Sequence, residues 1–239
     1  MKRDFESERR LELIRIKKEY QRRRKEIPAD FYRQAGDSYI YHDRRSSVEE
    51  ILTREKIIPL IGKKVLEIGC GIGAWLEDFQ GWGAKQENIY GIDLDEERAE
   101  VARKKIPGAH IVIGDAARSP WPSGFFDIIL QSTVFTSILE QRVRLELAGE
   151  MIRLLKPDGV FLWYDFRFNN PYNVNVRGIK SDQIAALFPG FELIFYKMTL
   201  LPPLARFLAP RLEFLCEFLN QCTFLKTHYF ILMRRKKKQ

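Results

Sequence analysis

Val65-Leu66-Glu67-Ile68-Gly69-Cys70-Gly71-Ile72-Gly73-Ala74-Trp75 is the stretch on which the fold is decided. A short apolar run passes into three glycines at alternate positions, and a helix-like stretch comes next. A buried strand that turns tightly into a helix needs backbone without Cβ atoms where a ligand comes close, and glycine supplies it. The next apolar run, Tyr90-Gly91-Ile92-Asp93, ends in a carboxylate 20 residues past Gly73. An acid at that spacing can accept both hydrogen bonds of a ribose diol.

Outward from this stretch, short apolar runs at Val65–Ile68, Ile89–Ile92, Ile111–Ile113, Asp127–Leu130 and Val160–Trp163 alternate with helical patterns, clearest at Asp95–Lys105 and Gln141–Leu155. Strand and helix repeated in this way require crossover connections and a parallel sheet. Two later runs, Phe191–Tyr196 and His228–Met233, lack a regular crossover between them. They predict that the last strand runs antiparallel between its neighbours, in a Rossmann-like α/β sheet of seven strands with helices on both faces. Residues 1–60 are expected to form extra N-terminal helices. The first, over 1–26, carries one narrow apolar stripe of Leu13, Ile16 and Tyr20. Pro28 should interrupt it, and Asp30 can cap the next turn. Residues 30–62 predict one or two short helices burying Val48, Ile51 and Leu52. Residues 61–239 form the main domain, with an apolar insert at about 200–224 whose prolines should break it into short helices.

A dinucleotide loop usually reads GxGxxG and leaves a helix N-terminus free for pyrophosphate. Here the loop reads GxGxG, with Glu67 two residues before its first glycine. An acid there repels a diphosphate but suits a cationic sulfonium and an amino group. At this point residues 60–165 resemble the class I S-adenosylmethionine-dependent methyltransferases of the "type 11" kind. The resemblance implies cofactor contacts at Glu67, Gly69, Cys70, Gly71 and Gly73. It matches Asp93 to the ribose acid, Leu94 to the apolar residue on adenine, and Gly114-Asp115-Ala116 to the motif whose acid meets the adenine amino group. Gln131, at the end of the fourth strand, lines the cofactor edge on this reading. Leu155-Lys156-Pro157-Asp158-Gly159 matches a turn usually written LKPGG, with Asp158 in place of the first glycine, a tolerable change because Asp can adopt the left-handed conformation. S-adenosylhomocysteine would be the product. Glu67 has an alternative reading as a helix cap, Cys70 as a packing residue, and Trp75 as core rather than a neighbour of the methionine moiety.

In open α/β sheets ligands bind beyond the carboxyl ends of the strands. The acceptor is therefore expected near the exits of the fourth and fifth strands, beneath the N-terminal helices. Candidate pocket residues are Tyr39 and Tyr41 from the N-terminal segment, and Tyr164, Asn169, Asn170 and Arg177 after the fifth strand. His42 and Asp165 are the candidate general bases. Arg177 has a plainer reading as a partner of Asp182, and Asp165 as an acceptor for loop backbone. Asn170-Pro171-Tyr172 echoes a motif of nucleic-acid amino methyltransferases. That motif belongs after the fourth strand, where this chain has Gln131-Ser132-Thr133-Val134, so base methylation is not inferred.

The net charge of +8 is concentrated at the ends: residues 1–25 carry +6 and Arg234–Lys238 carry +5, leaving the body slightly acidic. Three cysteines without paired spacing argue against a disulfide framework or a zinc site and for a reducing, cytoplasmic setting. The scattered histidines hold no metal pattern. Lys2-Arg3-Asp4 does not open a secretory signal. The leading expectation is O-methylation of a small molecule, a glycan or a lipid-linked acceptor. The insert reads first as core or as a lid over an apolar acceptor, with peripheral membrane contact, helped by the basic tail, as the alternative. One alternative is an RNA or protein methyltransferase that uses the basic termini, nucleic acid being the less favoured partner. Another is a non-catalytic binding protein that keeps the cofactor fold.

Overall fold

A computed structural model describes residues 2–26, 35–169 and 173–237. The N-terminal segment supplies two helices, α1 (Lys2–Glu26) and α2 (Ala35–Arg54). The body then alternates β1 (Val65–Ile68), α3 (Ala74–Gly81), β2 (Ile89–Asp93), α4 (Glu96–Lys105), β3 (His110–Ile113), β4 (Phe126–Ser132), α5 (Gln141–Leu154), β5 (Leu155–Phe166), α6 (Ser181–Leu187), β6 (Phe191–Leu200), α7 (Pro202–Leu219) and β7 (Lys226–Arg235). The sheet order is β3-β2-β1-β4-β5-β7-β6. β1 to β5 are parallel, and β7 runs antiparallel between β5 and β6, as the late strands predict.

Side chains of a strand point alternately to the two faces of a sheet, and both faces here are buried. Leu66, Ile68, Ile129, Phe161, Trp163 and Ile231 pack with Val143, Leu147 and Met151 of α5 and Ile184 of α6. Val65, Ile89, Ile128, Leu130, Leu162 and Phe230 pack on the other side with Val48 and Leu52 of α2, Leu76 and Phe79 of α3 and Ala99 of α4. A third cluster joins Tyr39 of α2 to Leu200, Ala205, Leu208 and Cys216.

Three details bear on the sequence reading. Residues 35–54 make one 20-residue helix, while Pro28 and Asp30 lie outside the described residues. The insert breaks at Leu212, two residues after Pro210, into two short helices, as its prolines predict. A proline cannot donate to the preceding turn, so the break falls beside it. Asp158 is not among the positive-φ residues, which outside glycine are Lys56, Thr133 and Thr199. The register between β4 and β5 jumps from Phe126↔Leu155 to Ile128↔Val160. Residues 156–159 thus form a bulge, which absorbs the turn without a left-handed Asp158.

Candidate functional site

The chain crosses from β1 to α3 through Gly69 (φ 68°), Gly71 (φ 51°) and Gly73 (φ 80°). Left-handed backbone at three alternate positions strongly favours glycine, which explains the spacing. Gly69 and Cys70 both donate amides to the Ile92 carbonyl, at 2.8 and 3.1 Å, tying the loop to the end of β2. Cys70 packs against Gly91, and burial pushes its thiol well above the usual range. It is a packing residue.

A pocket opens beside this loop. Gly69, Asp93, Leu94, Asp115 and Ala116 line its floor, and Leu13, Ile16 and Tyr20 of α1 line its roof. With Gly114, six residues matched by the resemblance thus share one cavity with the apolar stripe of the N-terminal helix. Asp93 already accepts from the Gly71 amide at 2.7 Å and the Asp95 amide at 2.8 Å. Each carboxylate oxygen keeps a second lone pair, so a diol can still be accepted. Asp115 accepts from the Ala117 amide and pairs with Arg9 of α1.

Glu67 is buried on the opposite face of β1, 2% exposed. The N-cap of α3 is Gly73, with no side-chain cap, so Glu67 does not play that part. Burial drives its carboxyl well above the usual range, and the charge of Arg44 counters part of the effect. Its Oε2 has no hydrogen-bond partner, and neither has Gln131 Nε2. Gln131 spends its Oε1 on the Val134 amide at 3.1 Å. A buried orphan acceptor and a buried orphan donor beside a glycine loop fit a ligand carrying an ammonium and further polar atoms. The residues present therefore suit S-adenosylmethionine.

The expected acceptor residues are spread out. Tyr39 belongs to the core between α2 and α7. Tyr41 donates to Asp78 at 3.2 Å. Tyr164 is buried, stacks on His228 with ring centroids 4.6 Å apart, and shares a 2.7 Å hydrogen bond with Thr199. Burial raises its phenol to about 12. Asn169 is exposed and accepts from the Gly178 amide. Arg177 is exposed, and its amide donates to the Thr136 carbonyl. Asn170 lies outside the described residues. His42 is exposed on α2, in edge contact with Tyr41. Asp165 is buried and accepts from the Thr136 amide and hydroxyl and from the Phe166 amide. Burial raises its carboxyl to about 7, the hydrogen bonds working against that rise.

Sequence reasoning missed three arginines. Arg9 meets both Asp115 and Glu146. Arg98, from the first turn of α4, packs over Gly71 and the Tyr20 ring. Arg44 of α2 lies over the Trp75 ring. Nothing marks them in the sequence, because each is one cation on a charged helix. Only the signs of the charges facing one another in space single them out.

Part of each basic terminus is engaged by the body. Glu12 of α1 accepts the Leu139 and Glu140 amides ahead of α5, and Arg15 donates to the Ser137 carbonyl at 2.6 Å. Arg234 pairs with Glu55 at 3.0 Å, and Arg235 donates to the Ile152 carbonyl. The sheet also separates the insert from the tail. Phe166 pairs with His228 at the end of β5 nearest the site, and Val160 with Arg234 at the other end. About 20 Å of strand lies between, so α7 and Arg234 lie at opposite ends of the sheet.

Residues 65–159 match the family model described as Methyltransferase domain. The chain is 33% identical over 115 residues to the phthiotriol/phenolphthiotriol dimycocerosates methyltransferase of Mycobacterium tuberculosis, covering 47% of this chain and 41% of that protein. It is 35% identical over 108 residues to the fatty-acid O-methyltransferase of Mycolicibacterium smegmatis, covering 44% and 38%. The chain thus spans about two fifths of the length of these curated relatives. A SAM-dependent methyltransferase structure from Archaeoglobus fulgidus superposes with a TM-score of 0.59 at 17% identity, over 80% of this chain and 94% of that one.

Proposed function

With a class I methyltransferase domain at residues 65–159 as the premise, we propose that the chain transfers a methyl group from S-adenosylmethionine to an oxygen of an apolar, lipid-linked acceptor. The observation that carries the cofactor half is the pocket shared by Gly69, Asp93, Leu94, Asp115 and Ala116, flanked by the orphan Glu67 Oε2. The acceptor half is supported by the relatives named for lipid and fatty-acid substrates.

In this reading Asp93 holds the ribose hydroxyls, Leu94 packs on adenine, Asp115 takes the adenine amino group and Glu67 the ammonium. The bound cofactor supplies an activated methyl on a cationic sulfonium. The chain contributes position and exclusion of water: α1 roofs the nucleoside side through Leu13, Ile16 and Tyr20. Asp165, titrating near neutrality, is the group we assign to hold or remove the acceptor proton, in preference to the exposed His42. Its ring of loop donors sets the geometry of the β5 exit at the same time.

On α7 and just after it, Phe207, Phe214, Phe218 and Phe224 are each more than 60% exposed. No helix among the described residues is long and apolar enough to cross a membrane. We assign this aromatic face to resting on the lipid surface from which the acceptor is drawn. The arginines of α1 and β7 that are held by the body leave fewer charges free to grip phosphates, and no observation raises nucleic acid above a lipid acceptor.

Purified protein incubated with methyl-tritiated cofactor and a cell extract tests the proposal. Label in the organic phase supports it, and label confined to RNA or protein contradicts it.

A further inference from the structure

Buried polar atoms without partners gather around the glycine loop: Glu67 Oε2, Gln131 Nε2, Trp75 Nε1 and Arg44 Nε. The first three come from β1 and α3, which carry the loop, and from β4, which pairs with β1. Arg44 comes from α2, outside the matched residues 65–159. Its Nη2 binds Asp78 at 3.0 Å, and its guanidinium carbon stands 3.9 Å from the Trp75 ring centroid and 5.1 Å from that of Tyr41. These contacts fix the group and leave Nε–H unpaired, although a buried donor without an acceptor is costly.

Charge balance points the same way. Asp78 is shared between Arg44 and Arg45, the latter at 3.3 Å, so the cluster holds one positive charge more than Asp78 cancels. The field of Arg44 reaches Glu67, Tyr164 and His228. No hydrogen bond joins Arg44 Nε to Glu67 Oε2. A cationic donor and a carboxyl acceptor, both buried and both short of a partner, complement one ligand chemistry: the zwitterion of an α-amino acid, whose ammonium favours the ionised form of Glu67.

We propose that Arg44 binds the carboxylate at the amino-acid end of the cofactor, opposite Glu67, which takes the ammonium; this rests on the methyltransferase reading above. The helix preceding the matched domain then completes the cofactor site. Arginine suits the role because its charge is permanent and its fork matches a carboxylate.

Calorimetry on the full chain with S-adenosylmethionine and with decarboxylated S-adenosylmethionine tests this. The two ligands share the sulfonium and the amine and differ in the carboxylate. Wild type should bind the decarboxylated ligand roughly tenfold to hundredfold more weakly, the worth of a charge-assisted hydrogen bond. Arg44→Ala should weaken S-adenosylmethionine by a similar factor and leave the decarboxylated ligand unchanged, and Arg44→Lys should recover part of the loss. Equal affinity of wild type for the two ligands would overturn the carboxylate site and leave the nucleoside reading standing. Equal weakening of both by Arg44→Ala would overturn it in favour of a bridge through Asp78 alone. If wild type bound neither ligand, the cofactor reading itself would fall, and this inference with it. The wild-type comparison stands even if Arg44→Ala does not fold.

Discussion

The Arg9 guanidinium of α1 holds the Asp115 carboxylate, the group that the methyltransferase resemblance assigns to the adenine amino function. The roof of the pocket is therefore fastened to a residue of its floor. Arg9 also meets Glu146 at 2.7 Å, and the exposed pairs Glu6–Arg118 and Glu8–Arg142 continue the seam. Exposed pairs contribute little singly and are screened by salt. The hold of α1 thus depends on its Leu13, Ile16 and Tyr20 contacts together with Arg9, Glu12 and Arg15. Arg9→Ala is expected to speed both association and dissociation of S-adenosylhomocysteine in stopped-flow experiments, whereas Asp115→Ala lowers affinity about tenfold. Unchanged rates in Arg9→Ala would mean that α1 does not gate this pocket.

Asp93 joins the loop to the pocket, because its carboxylate accepts the Gly71 and Asp95 amides. Asp93→Ala should cost roughly 1–3 kcal/mol of S-adenosylhomocysteine affinity. It should also lower thermal stability, since two amides lose their acceptor. A folded Asp93→Ala protein with full affinity would remove Asp93 from the site.

Asp165 makes stability depend on pH in a stated direction. Its folded pKa of about 7 lies above the ordinary value of 3.8 because burial penalises the charge. The folded state therefore holds the proton more tightly than the unfolded chain. This contribution is fully present below about pH 4 and is lost as pH rises through about 7. Asp165→Asn should flatten the decline in stability between about pH 4 and 7, measured by urea denaturation. If Asp165 also serves as base, the rate should rise over the same interval in wild type and stay low in the variant. A variant that keeps the wild-type pH–stability profile would show that Asp165 does not titrate there.

How much of this was legible in the residues depends on how local each cause is. The three alternate glycines and Asp93 are local devices: left-handed backbone and a strand-end acid leave a mark at fixed spacing, and the pocket forms where they indicate. The antiparallel β7 was legible from the missing crossover between Phe191–Tyr196 and His228–Met233. The parts played by Arg9, Arg44 and Arg98 were not. Each depends on which helix crosses which strand end, and nothing in a charged helix such as residues 2–26 says which cation will face Asp115. Tyr39 misled for the same reason, since an aromatic beside polar residues reads alike as pocket lining or as core. Only the packing of α7 on α2 made it core.

The exposed aromatics of α7 lead to a further expectation. Phe207→Ser with Phe214→Ser should reduce co-sedimentation with phospholipid vesicles, while removing residues 236–239 should change it little, because the tail leaves β7 at the far end of the sheet. Vesicle binding lost with the tail and kept in the double variant would assign the membrane contact to charge.

Transfer of label is the most direct test of the central claim. Wild-type protein, methyl-tritiated S-adenosylmethionine and a lipid extract should yield tritium in a neutral or acidic lipid as an ether or ester, and Asp93→Ala should abolish most of it. A wild-type protein that binds the cofactor yet labels no lipid, while labelling RNA, protein or nothing at all, would contradict the account.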